Sequence, residues 1–312
     1  MSKKTVGVIG LGHVGAHVAF TLGMLGIADH VRLCDKNEQK AVSECQDLMD
    51  AVMFMPHRVI YTVSSYEELS DCDIIVNAVG KIDLLKTLNR DSELEFTVAQ
   101  VNDIIPKVMA GGFHGIFVNI TNPCDVVTNR ISELSGLPKG HVLGTGTGLD
   151  TSRLVNVLSQ QTDIAPASIH AYMLGEHGNA QMTPWSNVSF GGKALADCHE
   201  EKFQFDRAEM TQRAIRGGWV TYVGKGCTEY GICSAAARLV RAIFHDTKEI
   251  IPCSCELSGE YGVKGVFTGC PAVIGADGAE KPVELRLTEE ELDEFRRCCD
   301  TIKANYQKAL KI

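Results

Sequence analysis

The chain has 312 residues, 45% of them hydrophobic and 22% charged, which leaves room for two domains of ordinary size. No stretch approaches the roughly 18 uninterrupted apolar residues of a membrane span, and the apolar run after Met1 is broken by glycines with no A-x-A-like cleavage site, so neither insertion nor export is expected. A formal charge of −9 argues against nucleic acid as partner and leaves any anionic substrate to local arginines.

Residues 6–9 form a first predicted strand, followed directly by G-L-G-H-V-G with Gly10, Gly12 and Gly15. The helix after Gly12 is expected to bury Val14, Val18, Leu22 and Leu25. Residues 31–34 form a second strand, ending at Asp35, and a polar helix from Glu38 leads to a third over 59–63. Strands over 74–79 and 115–120 follow, separated by a loop and a helix carrying Leu94, Val98, Val101 and Ile105. Continuous β-branched runs alternating with helices predict an α/β fold, a doubly wound parallel sheet covered on both faces. Beyond about Asp150 the rhythm changes to longer helices and irregular strands, so a second, mixed α+β domain is expected. The division predicted is 1–145 for a dinucleotide-binding domain and 146–312 for a catalytic, substrate-binding domain. Thr288 and Glu291 read as a capping box opening the last helix, with Leu292, Phe295, Cys299, Ile302 and Tyr306 on its inward face.

The 12 cysteines are mostly dispersed, and no C-x-x-C occurs. Reduced thiols in a cytoplasmic protein are the expectation. Neither Cys253 with Cys255 nor Cys298 with Cys299 has a usual ligand spacing, so no metal is expected.

The glycine turn has the context that makes such a motif informative: a strand before it, a helix after it, and an acid at the end of the next strand. Gly10 permits the tight turn, Gly12 lets backbone amides approach a pyrophosphate, and Gly15 allows helix and strand to pack closely. The helix N-terminus then faces the phosphate charge. Asp35, 20 residues past Gly15, is placed to accept the adenosine ribose hydroxyls and to repel a 2′-phosphate, which selects NAD over NADP. Gly80 is expected to close the fourth strand, and Asn119 and Asn122 to flank the end of the fifth, where an open sheet forms its ligand crevice. Asn119 reads equally well as a loop asparagine bonding its own backbone.

Asp150 and Arg153 are three apart, on one face of the helix that starts the second domain. An arginine there can hold a carboxylate through two parallel charge-assisted bonds, and Asp150 can orient an imidazole. His177, between glycines in L-G-E-H-G-N, is a candidate general acid and base, with an ordinary pKa of about 6.5. The same residues also read as a solvated helix pair and a surface-loop histidine, one of ten in the chain.

G-L-G-H-V-G, I-T-N-P-C-D, G-T-G-T-G-L-D-T-S-R and G-E-H-G-N resemble, in order and spacing, the L-lactate and malate dehydrogenase family over nearly the whole chain. K-I-D-L-L, N-R-D-S-E-L-E-F-T, G-F-H-G and G-K-G-C-T-E-Y-G resemble its L-2-hydroxyisocaproate dehydrogenases in particular. The resemblance implies a Rossmann-type domain and an NAD-dependent oxidoreductase. It implies that His177 exchanges a proton with the substrate oxygen and that Asp150 stabilises its cation. By the same resemblance Arg153 binds the substrate carboxylate, Asn122 orients histidine and carbonyl, and Arg90 swings in on a mobile loop to polarise the carbonyl. Family members acting on malate carry an arginine early in that loop; residues 81–86 hold none, and Leu84 and Leu85 suit an aliphatic side chain. Thr228 and Ile232 are expected on the opposite wall, or as helix packing positions. A medium-sized aliphatic or aromatic 2-oxo acid is therefore the first expectation, lactate and pyruvate the second, malate less; an NAD-binding sensor without chemistry is the remote option. The resemblance also implies a homo-oligomer, tetramer or dimer. Of the arginine and histidine that bind a sugar-phosphate activator in bacterial members, His170 matches, but Val155 stands in the arginine's place.

Overall fold

Six strands in the first half carry the frame of the molecule: β1 (Thr5–Ile9), β2 (His30–Cys34), β3 (Ile60–Val63), β4 (Ile74–Asn77), β5 (Ile116–Asn119) and β6 (Val142–Gly144). The computed structural model describes residues 3–81, 83–84 and 90–312, with Arg90 and Asp91 described by backbone alone. The strands pair in parallel in the order β3-β2-β1-β4-β5-β6. Strand β1 faces Val31 and Leu33 of β2 on one side and Ile74 and Val76 of β4 on the other. Every residue of β1, β4, β5 and β6 is buried, which is why these runs are continuously apolar instead of alternating. The order reverses between β1 and β4, and a crevice opens at the carboxyl ends of the strands there.

Helices α1 (His13–Met24), α2 (Glu38–Ala51), α3 (Leu94–Ala110) and α4 (Cys124–Ser135) cover the sheet. Val18 and Leu22 of α1 are fully buried and Val14 partly so. Each fully buried side chain of this size contributes about 1.5–3 kcal/mol. Leu25, expected beside them, is instead 59% exposed: it ends the helix just before Gly26, whose φ of +63° turns the chain away. On α3 the predicted period holds, with Leu94, Val98, Val101 and Ile105 all buried. The fourth strand stops at Asn77, so Gly80 lies in the loop beyond it, and β6 is a strand too short for its pattern to be read in the sequence.

The second half begins with α5 (Gly148–Thr162). Short strands β7 (Ile169–His170), β8 (Leu174–Gly175), β9 (Gln181–Met182), β10 (Ser189–Phe190) and β11 (Lys193–Ala194) precede α6 (Arg207–Lys225) and α7 (Tyr230–Phe244). A long antiparallel hairpin, β12 (Glu249–Ser258) and β13 (Lys264–Gly275), is flanked by β14 (Gly278–Pro282). β12 joins β6 through Ser254 and Gly144, so the hairpin extends the parallel sheet. Helix α7 lies against α1, with the Cys233 thiol donating to the carbonyl of Val14 at 3.5 Å, and α5 lies against α6. These contacts set the second half over the crevice of the first.

Helix α8 (Glu289–Ala309) opens with the predicted capping box: the Glu291 amide donates to the Thr288 hydroxyl at 3.2 Å, and the Thr288 amide to the Glu291 carboxylate at 3.0 Å. Phe295, Cys299, Ile302 and Tyr306 are buried and Leu292 is partly covered. All 12 cysteines are free thiols. Among the described residues no helix is long and apolar enough to cross a membrane.

Candidate active site

The glycine turn is built as its spacing requires. Gly10 has φ +87°, and a Cβ there would come within 2.9 Å of the Ala78 carbonyl group. A Cβ on Gly15 would sit 1.8 Å from the carbonyl oxygen of Gly10, so helix and strand meet only because that residue has no side chain. Above Gly12, the residue that caps α1, nothing lies within 4 Å of where a Cβ would be. The first amides of α1, which have no partner inside the helix, therefore face open space of the kind a pyrophosphate occupies. Asp35 closes β2, accepting the Leu11 amide at 2.7 Å and the Asn37 amide at 2.9 Å. Each carboxylate oxygen keeps a further lone pair for a ribose hydroxyl. These features fit a bound NAD.

A cavity of about 240 Å³ lies between the halves, lined by Gly12 and Gly80 from one side and by Arg153, His177, Thr228 and Ile232 from the other. Asn122 lines it too; its Oδ1 is buried with no partner among the described residues, while its side chain bonds Glu93. That leaves an acceptor to be satisfied from the cavity, as a bound hydroxy acid or cofactor amide would do. Glu93 in turn accepts the Lys81 amide at 2.8 Å, and burial holds its carboxyl above the ordinary range despite both bonds.

Asp150 and His177 are brought together from α5 and the loop after β8. His177 Nδ1 lies 2.5 Å from Asp150 Oδ2, and Arg153 Nη1 donates to Asp150 Oδ1 at 2.9 Å. Asp150 is fully buried and His177 nearly so. A buried carboxylate between two such partners holds Nδ1 and leaves Nε2 as the ring nitrogen able to exchange a proton on the cavity side. The His177 backbone is held as well: its amide donates to Asp125 Oδ2 at 2.8 Å, while the Ser254 hydroxyl donates to Asp125 Oδ1 at 2.6 Å.

Burial pushes the Asp125 carboxyl up to about 7, against the lowering effect of both bonds. Between its ordinary unfolded value and about 7 the folded state keeps a proton that the unfolded chain has lost. Asp125 therefore withdraws stability as pH rises through that window, on the order of a few kcal/mol by pH 7.5. Asp125→Asn, which keeps an acceptor for the His177 amide, is expected to gain stability relative to wild type from pH 5 to 7.5. Urea unfolding at both pH values checks this; a constant difference rejects it.

Not every expected residue joins the cavity. Asn119 is fully buried, and its amide donates to the carbonyls of Thr121 and Cys124 and to the Thr128 hydroxyl, while its oxygen accepts from Asn77. It ties the end of β5 to α4 and lies apart from the cavity, so the backbone-bonding reading describes it better than cofactor contact. Leu84 is half-buried and outside the described lining. Leu85 and the side chain of Arg90 lie outside the described residues. Three residues of α6 that the sequence reading passed over, Gly218, Trp219 and Tyr222, line the cavity. Their signal was the Gly217-Gly218 pair inside a helical pattern, where glycine is costly unless something packs close: a Cβ on Gly217 would lie 3.3 Å from Arg153 Cδ.

Residues 4–144 match the family model described as lactate/malate dehydrogenase, NAD binding domain, and residues 147–312 the one described as its alpha/beta C-terminal domain. An L-lactate dehydrogenase of Fusobacterium nucleatum subsp. nucleatum is 41% identical over 307 residues, covering 97% of this chain and 96% of the relative. L-lactate dehydrogenase 3 of Bacillus cereus is 37% identical, covering 98% of each chain. Among solved structures, a minor L-lactate dehydrogenase of Enterococcus mundtii in ligand-bound form superposes with TM-score 0.89 at 30% identity, covering 98% of both chains. A lactate dehydrogenase from a deep-sea metagenome library gives TM-score 0.91 at 29% identity over 99% of both.

Proposed function

Since the chain belongs to the lactate/malate dehydrogenase family and is an NAD-dependent 2-hydroxyacid oxidoreductase, we propose that its substrate pair is L-lactate and pyruvate, with His177 as proton donor and acceptor. The observation that carries this is the buried contact of His177 with Asp150, with Arg153 on the same carboxylate, at the edge of a cavity reached by the Gly12 turn. Residues 1–145 hold the cofactor and 146–312 the substrate.

Bound NAD supplies the site that takes or gives a hydride at the substrate C2. Arg153 fixes the substrate carboxylate through its planar fork. In reduction His177 gives the Nε2 proton to the forming alkoxide, and in oxidation it removes the hydroxyl proton; Asp150 holds the ring and stabilises its cation. Asn122 offers its unsatisfied Oδ1 on the cavity side, and by the family resemblance Arg90, at the start of the short helical turn Arg90–Glu93, is the residue that polarises the carbonyl. Because the bonds donated by His177 and Arg90 strengthen as charge builds on the substrate oxygen, they lower the barrier instead of only tightening binding.

The names of the relatives support lactate. The wall favours a second reading, an aliphatic 2-oxo acid larger than pyruvate: Gly218 adds no side chain, and Thr228 and Ile232 are uncharged. Replacing the methyl of pyruvate by an isobutyl group adds three carbons, worth about 0.8 kcal/mol each when buried, or close to two orders of magnitude in kcat/KM. A second carboxylate is disfavoured, since the Lys81 ammonium at the cavity is engaged 5.7 Å above the Phe96 ring. NADH oxidation measured with pyruvate, 2-oxo-4-methylpentanoate and oxaloacetate decides: the proposal expects pyruvate first and oxaloacetate last. A large excess for 2-oxo-4-methylpentanoate selects the second reading. NADH binding without turnover on any of the three overturns both. The family reading also carries a homo-oligomer, tetramer or dimer, which mass by light scattering checks.

A further inference from the structure

We propose that His13, Cys227 and Glu229 form a zinc site that joins the glycine turn of the first half to the loop between α6 and α7 of the second. His13 is the first residue of α1, its side chain is 73% exposed, and with Cys227 it lines the cavity described above, so in the cofactor-free protein an ion has access from the cavity side. Cys227 and Glu229 are buried in the loop facing it. One imidazole nitrogen, the thiol sulfur and one carboxylate oxygen all lie within 4.8 Å of one another.

Tetrahedral zinc holds its ligands at about 2.0–2.3 Å, which puts neighbouring ligand atoms roughly 3.3–3.8 Å apart. His13 Nδ1 and Glu229 Oε1 are already 3.4 Å apart. The remaining separations close with a shift of about an ångström, within reach of an exposed imidazole. His17 Nδ1 approaches the same oxygen at 4.0 Å but is bonded to the carbonyl of His13 at 2.6 Å, so the fourth position falls to water. Glu229 divides its two oxygens: Oε2 pairs with the Lys225 ammonium, while Oε1 faces the histidines. Lys225 therefore places a competing positive charge behind the site. A sulfur, nitrogen and oxygen set suits zinc and excludes magnesium and calcium, which take oxygen ligands. An ordinary network in which Glu229 faces His13 and accepts from the Cys227 thiol accounts for the same three groups with the sulfur protonated, whereas zinc takes it as thiolate, and on that point the two accounts separate.

The test is titration of zinc chloride into the cofactor-free protein over a background of excess magnesium, followed by calorimetry. The proposal expects one ion per chain, with affinity lowered at least tenfold by Cys227→Ala and again by His13→Asn. Lys225→Met, which removes the competing charge, is expected to tighten binding, and Cys45→Ser, at the half-buried thiol elsewhere on the surface, to leave it unchanged. Cobalt in place of zinc should show a thiolate charge-transfer band in wild type that Cys227→Ala abolishes. No zinc binding by wild type, or equal binding by Cys227→Ala and His13→Asn, overturns the site. Neither outcome bears on the substrate reading, because no arm of the test measures turnover.

Discussion

His177→Ala is expected to lower kcat by roughly 10²–10⁴-fold, the contribution of a positioned general acid, while NADH binding stays nearly unchanged. The two readouts separate because different parts of the chain carry them. In the proposed reading the Gly12 turn and Asp35 hold the cofactor, and neither bonds to the imidazole. The imidazole instead meets Asp150, whose buried carboxylate has Nδ1 on one oxygen and Arg153 on the other. Removing the ring leaves a buried carboxylate with one partner fewer, so some loss of stability accompanies the loss of rate. Single-turnover kinetics of NADH oxidation, run well below the melting temperature of the variant, isolates the chemical step. A pH–rate profile adds a readout that a merely structural residue would not move: the limb belonging to the imidazole should vanish. An unchanged kcat would assign proton transfer to another group.

How much of this was legible in the sequence depended on how local each cause is. The glycine turn was legible in full, because the constraints at Gly10 and Gly15 come from backbone atoms a few residues away or on the adjoining strand. The α3 stripe and the α8 capping box were legible for the same reason. Leu25 failed because a period of 3.6 continues on paper past the point where Gly26 ends the helix. Asn119 and Asn122 looked alike as asparagines beyond one strand, yet one bonds its own loop and the other lines the cavity; that difference is set by α4 and Glu93, not by spacing. The α6 wall was hidden because a glycine pair in a helix says that something packs closely without saying what, and the partner, Arg153, lies far away in the chain. Asp125 was read only as part of a motif. Its bond to the His177 amide is a tertiary fact, and so is the meeting of His13 with Cys227 and Glu229 across the two halves.

Arg153→Leu is expected to raise KM for the preferred 2-oxo acid by roughly 10²–10⁴-fold. A carboxylate held by the guanidinium fork makes two charge-assisted bonds of about 1.5–3 kcal/mol each, and about 1.4 kcal/mol corresponds to a factor of ten. One nitrogen, Nη1, is engaged with Asp150 at 2.9 Å, but guanidinium carries five N–H donors, so the fork still has donors to offer a substrate. The side-chain stem is seated where Gly217 leaves space on α6, which fixes the direction in which the head points. Arg153→Lys keeps the charge and loses the fork, and should recover only part of the affinity. Because Arg153 also shares Asp150 with His177, kcat should fall too, but by less than KM rises, since the imidazole keeps its own bond to Oδ2. Steady-state kinetics on both variants, with the NADH dissociation constant as control, resolves the split. A loss confined to kcat would mean that Arg153 serves the histidine alone and that the carboxylate is bound by another cation.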